Sequence, residues 1–392
     1  MTSPTAQNSQ ADRQADIQSL SDTVRRFTHD EIVPHVNAWD EAGEFPRALY
    51  VRAAELGLLG MGYPEALGGT PASHALRNAV SVTLARVGGS GGVMASLFSH
   101  NIGLPPVLRY GAEAVQQEVI PSVLRGEKIA ALAITEPGGG SDVASLRTTA
   151  RRVGGDWVID GEKVFITSGM RADWITMAVR TGERGTRGAG GISMVLVPGD
   201  AAGISRTSLK KMGWWCSDTA HLRMDNVRVP ARYLLGEEGG GFKIIMTNFN
   251  GERLAMSAMA LGFAQACFDE ALDWARQRKT FGAALVEHQV VRHKLVDMQM
   301  RIASTQAWLE QVTTRADAGD QGPDWVANVC MLKNHATQTM QFCADQAVQI
   351  LGGMGFMRGT KSERIYREVK VMMIGGGAEE VMKELAARQL GL

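Results

Sequence analysis

Residues 130–142 read Ala-Ala-Leu-Ala-Ile-Thr-Glu-Pro-Gly-Gly-Gly-Ser-Asp and combine an apolar run with a glycine loop. The apolar run predicts a strand, which Pro137 and the three glycines that follow it bring to an end. Consecutive glycines permit positive φ angles and let a bound group approach the backbone closely. Thr135 and Ser141 add a hydroxyl group on either side of the loop. The stretch is typical either of a ligand-binding loop or of an ordinary turn at the end of a strand.

The composition of the chain is ordinary for a globular protein. Its 392 residues are enough for two or three domains, with 45% hydrophobic and 21% charged residues. The 41 Lys and Arg residues balance the 41 Asp and Glu residues, so no net positive charge favours nucleic acid. No apolar stretch approaches the roughly 18 residues that indicate a membrane span. We therefore expect neither a nucleic-acid partner nor a membrane span.

The cysteines and the amino-terminal residues bear on the cellular compartment. The four cysteines have no CxxC spacing, which indicates neither a disulfide framework nor a zinc site, and we expect no bound metal. Residues 1–15 are polar and lack the basic-then-apolar order of a secretory signal, so they are predicted to form a frayed tail. These features favour a reducing cytoplasm.

Three zones of different periodicity follow one another along the chain. In the first zone, apolar residues such as Ile17, Leu20 and Val24 recur at helical spacing. In the second, short β-type runs alternate with glycine-rich turns such as Asp160-Gly161, which favours an antiparallel barrel or sandwich. In the third, long apolar stripes at helical spacing predict a helix bundle. The predicted class is α+β with three domains: helices in 1–131, a β domain in 132–236 and a helical bundle in 237–392.

Six motifs, in this order, resemble those of the acyl-CoA dehydrogenase family of flavoproteins, and the resemblance covers essentially the whole chain. The motifs are the Thr135-Glu-Pro loop, Gly161-Glu-Lys-Val-Phe-Ile-Thr-Ser-Gly169, Lys211-Met-Gly-Trp-Trp-Cys-Ser-Asp-Thr219 with Val229-Pro230, Glu252-Arg253-Leu254, Arg278-Lys-Thr-Phe-Gly282 with His288-Gln289, and Gln349-Ile-Leu-Gly-Gly353 with Ile374-Gly-Gly-Gly377. The resemblance implies the family fold with a carboxyl-terminal four-helix bundle, and FAD as cofactor. It also implies oxidation of an acyl-CoA to the trans-2-enoyl-CoA in fatty-acid metabolism, with an electron-transfer flavoprotein as electron acceptor.

The resemblance assigns residues of this chain to FAD. Thr135, Phe165 and Thr167 match positions at the isoalloxazine ring, with Phe165 behind the ring where many relatives carry Trp. In a strand, Phe165 and Thr167 share one face, although Phe165 would also suit the core of the strand. The remaining positions matched to FAD are Ser141, Arg278, Phe281, Gln289, Gln349, Gly352, Gly353 and Glu380.

Arg278 follows a predicted helix, and a guanidinium group there suits a pyrophosphate because it donates paired charge-assisted hydrogen bonds. The same charge would also stabilise the carboxyl end of the helix. In the family, this segment and the Gln349 segment reach the FAD of a neighbouring subunit. The resemblance therefore implies a homotetramer, a dimer of dimers, in which two chains build each flavin site.

The family reaction needs a base that removes a proton α to a thioester, and a carboxylate in an apolar pocket suits this task. Many members carry that Glu in a Tyr-Glu-Gly-Thr segment, where this chain has Gly376. A subset that includes isovaleryl- and long-chain-type enzymes instead places the Glu before an Arg on a bundle helix, and Glu252-Arg253 match that position. Glu379 and Glu380 are rival carboxylates that lie beyond the matched position.

Helical spacing supports Glu252 independently of the resemblance. Met256, Met259 and Phe263 follow Glu252 at intervals of four, three and four residues, which places the carboxylate at the head of an apolar stripe. Such a stripe is also typical of a plain core, and a Glu near the start of a helix is also typical of a favourable partner for the helix dipole. We predict that Glu252 is the base and that Gly376 marks a vacant base position.

The CoA part of the substrate is matched by Ser141, Asn250 and Arg253. The thioester carbonyl is expected to accept hydrogen bonds from a flavin ribityl hydroxyl and from a backbone N–H near Gly376, which would stabilise the developing enolate. Ala378 stands where the family usually has Thr. The small residues between 88 and 99 would either leave a roomy acyl pocket or be filled by neighbouring helices, so the acyl chain length stays open.

Two other functions compete with acyl-CoA dehydrogenation. One is a flavin oxidase or monooxygenase of the same fold that acts on a substrate without CoA. Such relatives usually lack the Glu base or the Arg that follows it, whereas this chain has both. The other is a non-catalytic flavin-bearing binding protein, such as a DNA-protective relative. The zero net charge and the lack of a basic extension argue against it.

Overall fold

The computed structural model of the chain describes residues 4–182 and 188–392, with side chains from residue 14 onward. Contacts divide these residues into two compact units. The bundle unit comprises Met1–Ala38, Ala72–Gly91 and Arg253–Leu392, and the sheet unit comprises Trp39–Pro71 and Gly92–Glu252. The predicted order of helices, sheet and helices is confirmed, but early and late helices share the bundle unit. The predicted domain boundaries at 131 and 236 stay a prediction.

In the described part of the chain, eight α-helices precede the sheet. They are α1 (Pro4–Phe27), α2 (Val36–Ala42), α3 (Ala48–Glu55), α4 (His74–Gly88), α5 (Gly91–Leu97), α6 (His100–Gly103), α7 (Pro105–Tyr110) and α8 (Glu113–Leu124). Helix α1 begins at Pro4, so the prediction of a frayed tail is wrong for residues 4–15, and residues 1–3 lie outside the described residues. Residues 6–15 are rich in Ala and Gln, which are good helix formers, and a helix extends easily once a neighbouring segment has nucleated it.

One eight-stranded sheet forms the centre of the sheet unit. Its strands are β1 (Ala130–Ala133), β2 (Thr149–Val153), β3 (Asp156–Thr167), β4 (Trp174–Arg180), β5 (Ile192–Pro198), β6 (Ile204–Ser208), β7 (Thr219–Pro230) and β8 (Leu234–Leu235). The strand order is β6-β7-β3-β2-β4-β5-β8, and β1 pairs with β4. The sheet differs from the antiparallel prediction because β4 pairs in parallel with β1 and, at one position, with β2. Along the chain, the β2–β3 hairpin comes between β1 and β4, and it forms part of the crossover connection that two parallel strands need.

Strand β3 carries the most informative irregularities of the sheet. The sequence predicts a turn at Asp160-Gly161, but these residues lie inside β3, where the pairing with β7 shifts register. Gly161 has φ +144°, and a Cβ there would lie 2.7 Å from the Thr148 backbone. Only glycine fits this bulge, which bends the strand instead of ending it. A second register shift lies between Lys163 and Ile166.

The inner strands are buried on both faces. Five consecutive residues of β4, Ile175 to Val179, are buried, and β5 is buried from Ile192 to Val197. Residues of α8, such as Val119 and Ile120, belong to the same hydrophobic core. The sheet of this unit is therefore covered on both faces.

Long helices and short connecting elements follow the sheet. They are α9 (Gly241–Gln277), β9 (Lys279–Thr280), β10 (Ala283–Ala284), α10 (Gln289–Asp317), α11 (Pro323–Leu351), α12 (Gly353–Phe356), α13 (Lys361–Ile374) and α14 (Glu379–Leu390). Helix α11 packs against α10, α13 and α14. Helix α4 joins them, because Asn78 Nδ2 donates to Thr313 Oγ1 at 2.9 Å. None of the helices in the described part of the chain is both long and apolar enough to cross a membrane.

The small residues between 88 and 99 serve close packing. A Cβ on Gly88 would lie 3.2 Å from Thr28 Cγ2, and one on Gly89 would lie 2.7 Å from Lys361 Cγ. In the sheet unit, a Cβ on Gly92 would lie 2.8 Å from Cys216 Sγ. These positions are filled by neighbouring residues, so the glycines themselves leave no roomy pocket.

Ala378 is the N-cap of α14 and makes no capping hydrogen bond with its side chain. Thr360, the N-cap of α13, accepts one from the Glu363 N–H. Ala378→Thr is therefore expected to stabilise the first turn of α14 by about 1 kcal/mol and to slow its amide hydrogen exchange roughly fivefold. Ala378→Val, which adds bulk without a hydroxyl, is the control. Equal exchange rates in the Thr and Val variants would contradict the capping argument.

Candidate active site

A buried ion pair fixes the loop that follows β1. Lys163 Nζ donates to the Ile134 carbonyl at 2.9 Å and to Glu136 Oε1 at 2.8 Å. Glu136 also accepts from the backbone N–H groups of Arg147 at 2.6 Å and Thr148 at 2.9 Å. Lys163 is fully buried and Glu136 is nearly so. The glycine loop therefore starts from an anchored point on the sheet.

Burial and ion pairing shift the pKa of Lys163, and likewise that of Glu136, in opposite directions. Desolvation lowers the pKa of Lys163 to about 8, although the Glu136 carboxylate favours the charged ammonium. Burial opposes ionisation of Glu136, but the Lys163 ammonium and the hydrogen bonds to its oxygens hold the pKa of Glu136 below its ordinary value. Pairing therefore favours the charged form of each group, whereas burial opposes it.

Thr135, Phe165 and Thr167 lie at neighbouring places in the sheet unit. The Val164 N–H donates to the Thr135 carbonyl at 2.9 Å and so ties the loop to β3 beside Phe165. Phe165 lies in the second bulge of β3 with φ +62°, and 68% of its surface is exposed. It is not a core residue of the strand. A left-handed backbone costs a bulky residue of the order of 1–3 kcal/mol, and such strain clusters at functional sites.

This region suits a flat aromatic ligand with polar edges. The exposed Phe165 ring offers an apolar face, and the half-buried Thr135 and Thr167 each carry a hydroxyl that can form a hydrogen bond. A Cβ on Gly138 would meet nothing within 4 Å, so the loop is open at this point. Ser141 lies further along the same loop and is exposed.

Glu252 lies well inside α9, which begins at Gly241. A favourable interaction with the helix dipole falls off within the first turn, so it does not explain this Glu. The side chain is half-buried, and its Oε2 is shielded from solvent. Asn250, one half-turn earlier on α9, is also half-buried. The carboxylate is thus screened from water without being fully enclosed.

Arg253 is buried, and its Nε donates to the Gly376 carbonyl at 2.9 Å. The resemblance matches Arg253 to the CoA part of a substrate, whereas this hydrogen bond engages it with the backbone of the loop between α13 and α14. Gly376 has φ +66° and Gly377 has φ +115°, values that favour glycine. A Cβ on Gly377 would also lie 2.3 Å from Met382 Cε, so the loop is tightly packed.

The rival carboxylates lie at the start of α14. Glu379 accepts hydrogen bonds from Lys383 Nζ at 2.8 Å and from Gln338 Nε2 at 2.6 Å. The hydrogen bond from Lys383, followed by its charge and the hydrogen bond from Gln338, lowers the pKa of Glu379. Glu380 is exposed. Glu379 is therefore a weakened base.

Arg278 directly follows α9 and is exposed. Strands β9 and β10 form a hairpin whose two turn residues, Phe281 and Gly282, have φ +53° and +82°. Positive φ at both positions is typical of a type I′ turn. The turn presents Phe281 with its full surface exposed, and Gln289 is exposed at the start of α10.

The carboxyl end of α11, like the β9–β10 hairpin, is exposed to solvent. Gln349, Gly352 and Gly353 are exposed, and Gly352 has φ +62° and ψ −130°. A Cβ on Gly352 or on Gly353 would meet nothing within 4 Å. Phe356 beside them has 86% of its surface exposed. Packing within the chain therefore does not explain these two glycines.

The Lys163–Glu136 pair is not among the sequence predictions. Its signal in the sequence is a lysine directly before the apolar β-type run Val164-Phe-Ile. A lysine buried in such a strand needs a partner, and Glu136 lies at the start of the glycine loop.

No group of three or more His, Cys, Asp or Glu side chains suited to holding a metal ion occurs among the described residues.

Comparison with known proteins places this architecture among characterised families. Family models described as the N-terminal, middle and C-terminal domains of acyl-CoA dehydrogenase match residues 14–127, 131–227 and 239–391. The mitochondrial long-chain specific acyl-CoA dehydrogenase of Rattus norvegicus is 36% identical over 375 residues, which cover 94% of this chain and 85% of the relative.

Cyclohexane-1-carbonyl-CoA dehydrogenase of Geobacter metallireducens is 33% identical, with 96% of this chain and 97% of the relative covered. The crystal structure of acyl-CoA dehydrogenase from Geobacillus kaustophilus superposes with a TM-score of 0.91 at 34% identity. That match covers 96% of this chain and 98% of the other.

Lys163→Met is expected to destabilise the sheet unit by about 3–5 kcal/mol, because it leaves the Glu136 carboxylate buried without its counter-charge. The double variant Lys163→Met/Glu136→Gln removes both charges and should recover most of the loss. The midpoint of thermal unfolding measures both effects at fixed cofactor concentration. A double variant no more stable than the single one would contradict the pairing argument.

Proposed function

Because this chain belongs to the acyl-CoA dehydrogenase family, we propose that it oxidises an acyl-CoA thioester to the trans-2-enoyl-CoA with Glu252 as the base. The protein is an oxidoreductase, and members of its family are FAD-dependent flavoproteins. When bound, FAD supplies the acceptor for the hydride that leaves the β carbon. The exposed Phe165 ring and the Thr135 and Thr167 hydroxyls fit its flat, polar-edged ring system, and the exposed guanidinium of Arg278 fits its pyrophosphate.

Glu252 takes the proton from the α carbon onto a carboxylate oxygen. The electron pair of the broken C–H bond becomes the α,β double bond as hydride leaves the β carbon. The observation that carries this assignment is a half-buried Glu inside α9 with one oxygen shielded from solvent, while position 376 is a glycine. A carboxylate screened from water and followed by an apolar stripe suits proton abstraction next to a carbonyl.

The loop around Gly376 supports the other half of the chemistry. We propose that a backbone N–H of this loop donates to the thioester oxygen and stabilises the negative charge that develops on it. Ser141 and Asn250 would contact the CoA part of the substrate. Arg253 would act on the substrate through the loop, since its Nε donates to the Gly376 carbonyl.

The subunits would share their flavin sites. Exposed residues that match family FAD positions lie on the hairpin and at the end of α11, where Phe281 and Phe356 leave apolar surface uncovered. These features support a homo-oligomer, as a tetramer built from two dimers, in which Arg278, Phe281, Gln349, Gly352 and Gly353 serve the FAD of a neighbouring subunit. Gln289 and Glu380 are further positions matched to FAD. We also propose an electron-transfer flavoprotein as electron acceptor. The four buried free cysteines support a cytoplasmic location.

Glu252→Gln is expected to keep FAD bound while slowing anaerobic flavin reduction by acyl-CoA roughly 10²–10⁴-fold, since it keeps the size and removes the base. Stopped-flow absorbance with a panel from short branched to long straight acyl-CoAs measures the rate. Glu384→Gln, an exposed change on α14, is the matched control. Reduction of Glu252→Gln at the wild-type rate would remove Glu252 from the mechanism.

Arg278→Ala is expected to weaken FAD binding about tenfold or more, because it removes a charge-assisted hydrogen bond to the pyrophosphate. Arg276→Ala, which removes another exposed Arg from the same region, is the control. The flavin-to-protein ratio after gel filtration and the mass by light scattering are measured together. An active, FAD-replete monomer would overturn the shared site.

A further inference from the structure

A buried lysine on α11 holds both ends of the loop that contains Gly376. Lys333 is fully buried, and its Nζ donates to the Met373 carbonyl at 3.0 Å and to the Gly377 carbonyl at 2.8 Å. Met373 lies near the end of α13, and Gly377 lies just before α14. One ammonium group therefore bridges the two backbone carbonyls that flank residues 374–376.

Arg253 completes the fixation from α9. Its Nε donates to the Gly376 carbonyl, so two cationic side chains hold two loop carbonyls and the Met373 carbonyl at the end of α13. In a trans peptide, the N–H of the next residue points away from the carbonyl. Turning the carbonyls of Gly376 and Gly377 toward the cations therefore turns the N–H groups of Gly377 and Ala378 the opposite way.

This fixation matters because the loop has little conformational preference of its own. Three consecutive glycines allow many backbone conformations, and the φ values of Gly376 and Gly377 lie in the region that other residues avoid. Donors on a packed helix supply the order that the loop sequence lacks. Asn334, next to Lys333 on α11, extends the same contact by donating to the Glu379 carbonyl at 2.9 Å.

Packing alone does not explain a lysine at a fully buried position, because burying its charge is unfavourable. Burial of an ammonium group costs several kcal/mol, and an apolar side chain of similar length would fill the space without that cost. Hydrogen bonds from a charged donor are stronger than neutral ones, and one ammonium group can donate to several carbonyls at once. The position of the charge thus favours a role in fixing the loop carbonyls.

We propose that Lys333 is a positioning residue for the oxidation: it sets the loop so that a backbone N–H near Gly376 faces the thioester oxygen. This inference rests on the proposed function. Lys333 contacts neither substrate nor cofactor in this account and acts only through the loop backbone. Its loss would therefore weaken the stabilisation of the enolate more than the binding of substrate or FAD.

The test separates proton removal from hydride transfer. A 3-thia-acyl-CoA has sulfur in place of the β carbon, so it can lose an α proton but cannot give up a hydride there. Exchange of its α hydrogens with D₂O on the FAD-loaded enzyme, followed by mass spectrometry, reports proton removal alone. Lys333→Met removes the donors at similar length, and Lys333→Gln keeps two N–H donors without the charge. Lys383→Met, on exposed α14 surface, is the control.

Lys333→Met is expected to slow the exchange and the kcat of acyl-CoA oxidation by about tenfold or more, with KM and the FAD content close to wild type. Lys333→Gln should recover part of the rate. If Lys333→Met does not fold, Lys333→Gln alone should show an intermediate loss.

Two results would overturn the inference while the proposed function stands. One is exchange at the wild-type rate in a folded Lys333 variant, and the other is a loss that only follows the loss of FAD-bound protein. A wild-type enzyme that neither exchanges the α hydrogens nor is reduced by any acyl-CoA of the panel would instead overturn the proposed function, and this inference with it.

Discussion

Glycine-rich loops hold their shape in this protein because buried cations on packed elements donate hydrogen bonds to their backbone carbonyls. In the sheet unit, Lys163 on β3 fixes the start of the Thr135 loop. In the bundle unit, Lys333 on α11 fixes the loop around Gly376. Both lysines are fully buried, so each gives up hydration to impose order on a segment that has little of its own. The residues assigned to the flavin and to the thioester depend on these two anchors.

The chemistry is divided between elements according to what each backbone can provide. In the proposed mechanism the base is Glu252, whose place well inside a long helix leaves one carboxylate oxygen shielded from solvent. The proposed oxyanion donor is a backbone N–H of the loop around Gly376, where Gly376 and Gly377 adopt positive φ angles that favour glycine. Because Gly376 has no carboxylate, the proposal takes the base and the oxyanion donor from different elements of the chain. In relatives with the Tyr-Glu-Gly-Thr segment the Glu lies in this loop itself, whereas this chain has Gly376 at that position.

The spacing of apolar residues along the sequence predicted the secondary structure that depends on interactions between nearby residues. The β-type runs around Trp157 and Val164 both lie in strand β3, and the apolar stripe after Glu252 lies on one helix. The bulge at Gly161 was read as a turn, because a strand that tolerates a glycine bulge looks the same in sequence as two strands with a turn between them. The buried partners of Lys163 and Lys333 were missed, since Met373 lies 40 residues from Lys333 along the chain. The sequence indicates such a long-range pair only through a charged residue next to an apolar run, and it does not identify the partner.

A crystal structure of the FAD-loaded enzyme with a 3-thia-acyl-CoA bound tests the central claim most directly. The account predicts a Glu252 carboxylate oxygen within about 3–3.5 Å of the α carbon. It also predicts the thioester oxygen at about 2.7–3.1 Å from a backbone N–H of the loop around Gly376, with Lys333 still on the carbonyls of Met373 and Gly377. A different carboxylate at the α carbon, or a thioester oxygen that faces away from this loop, would contradict it.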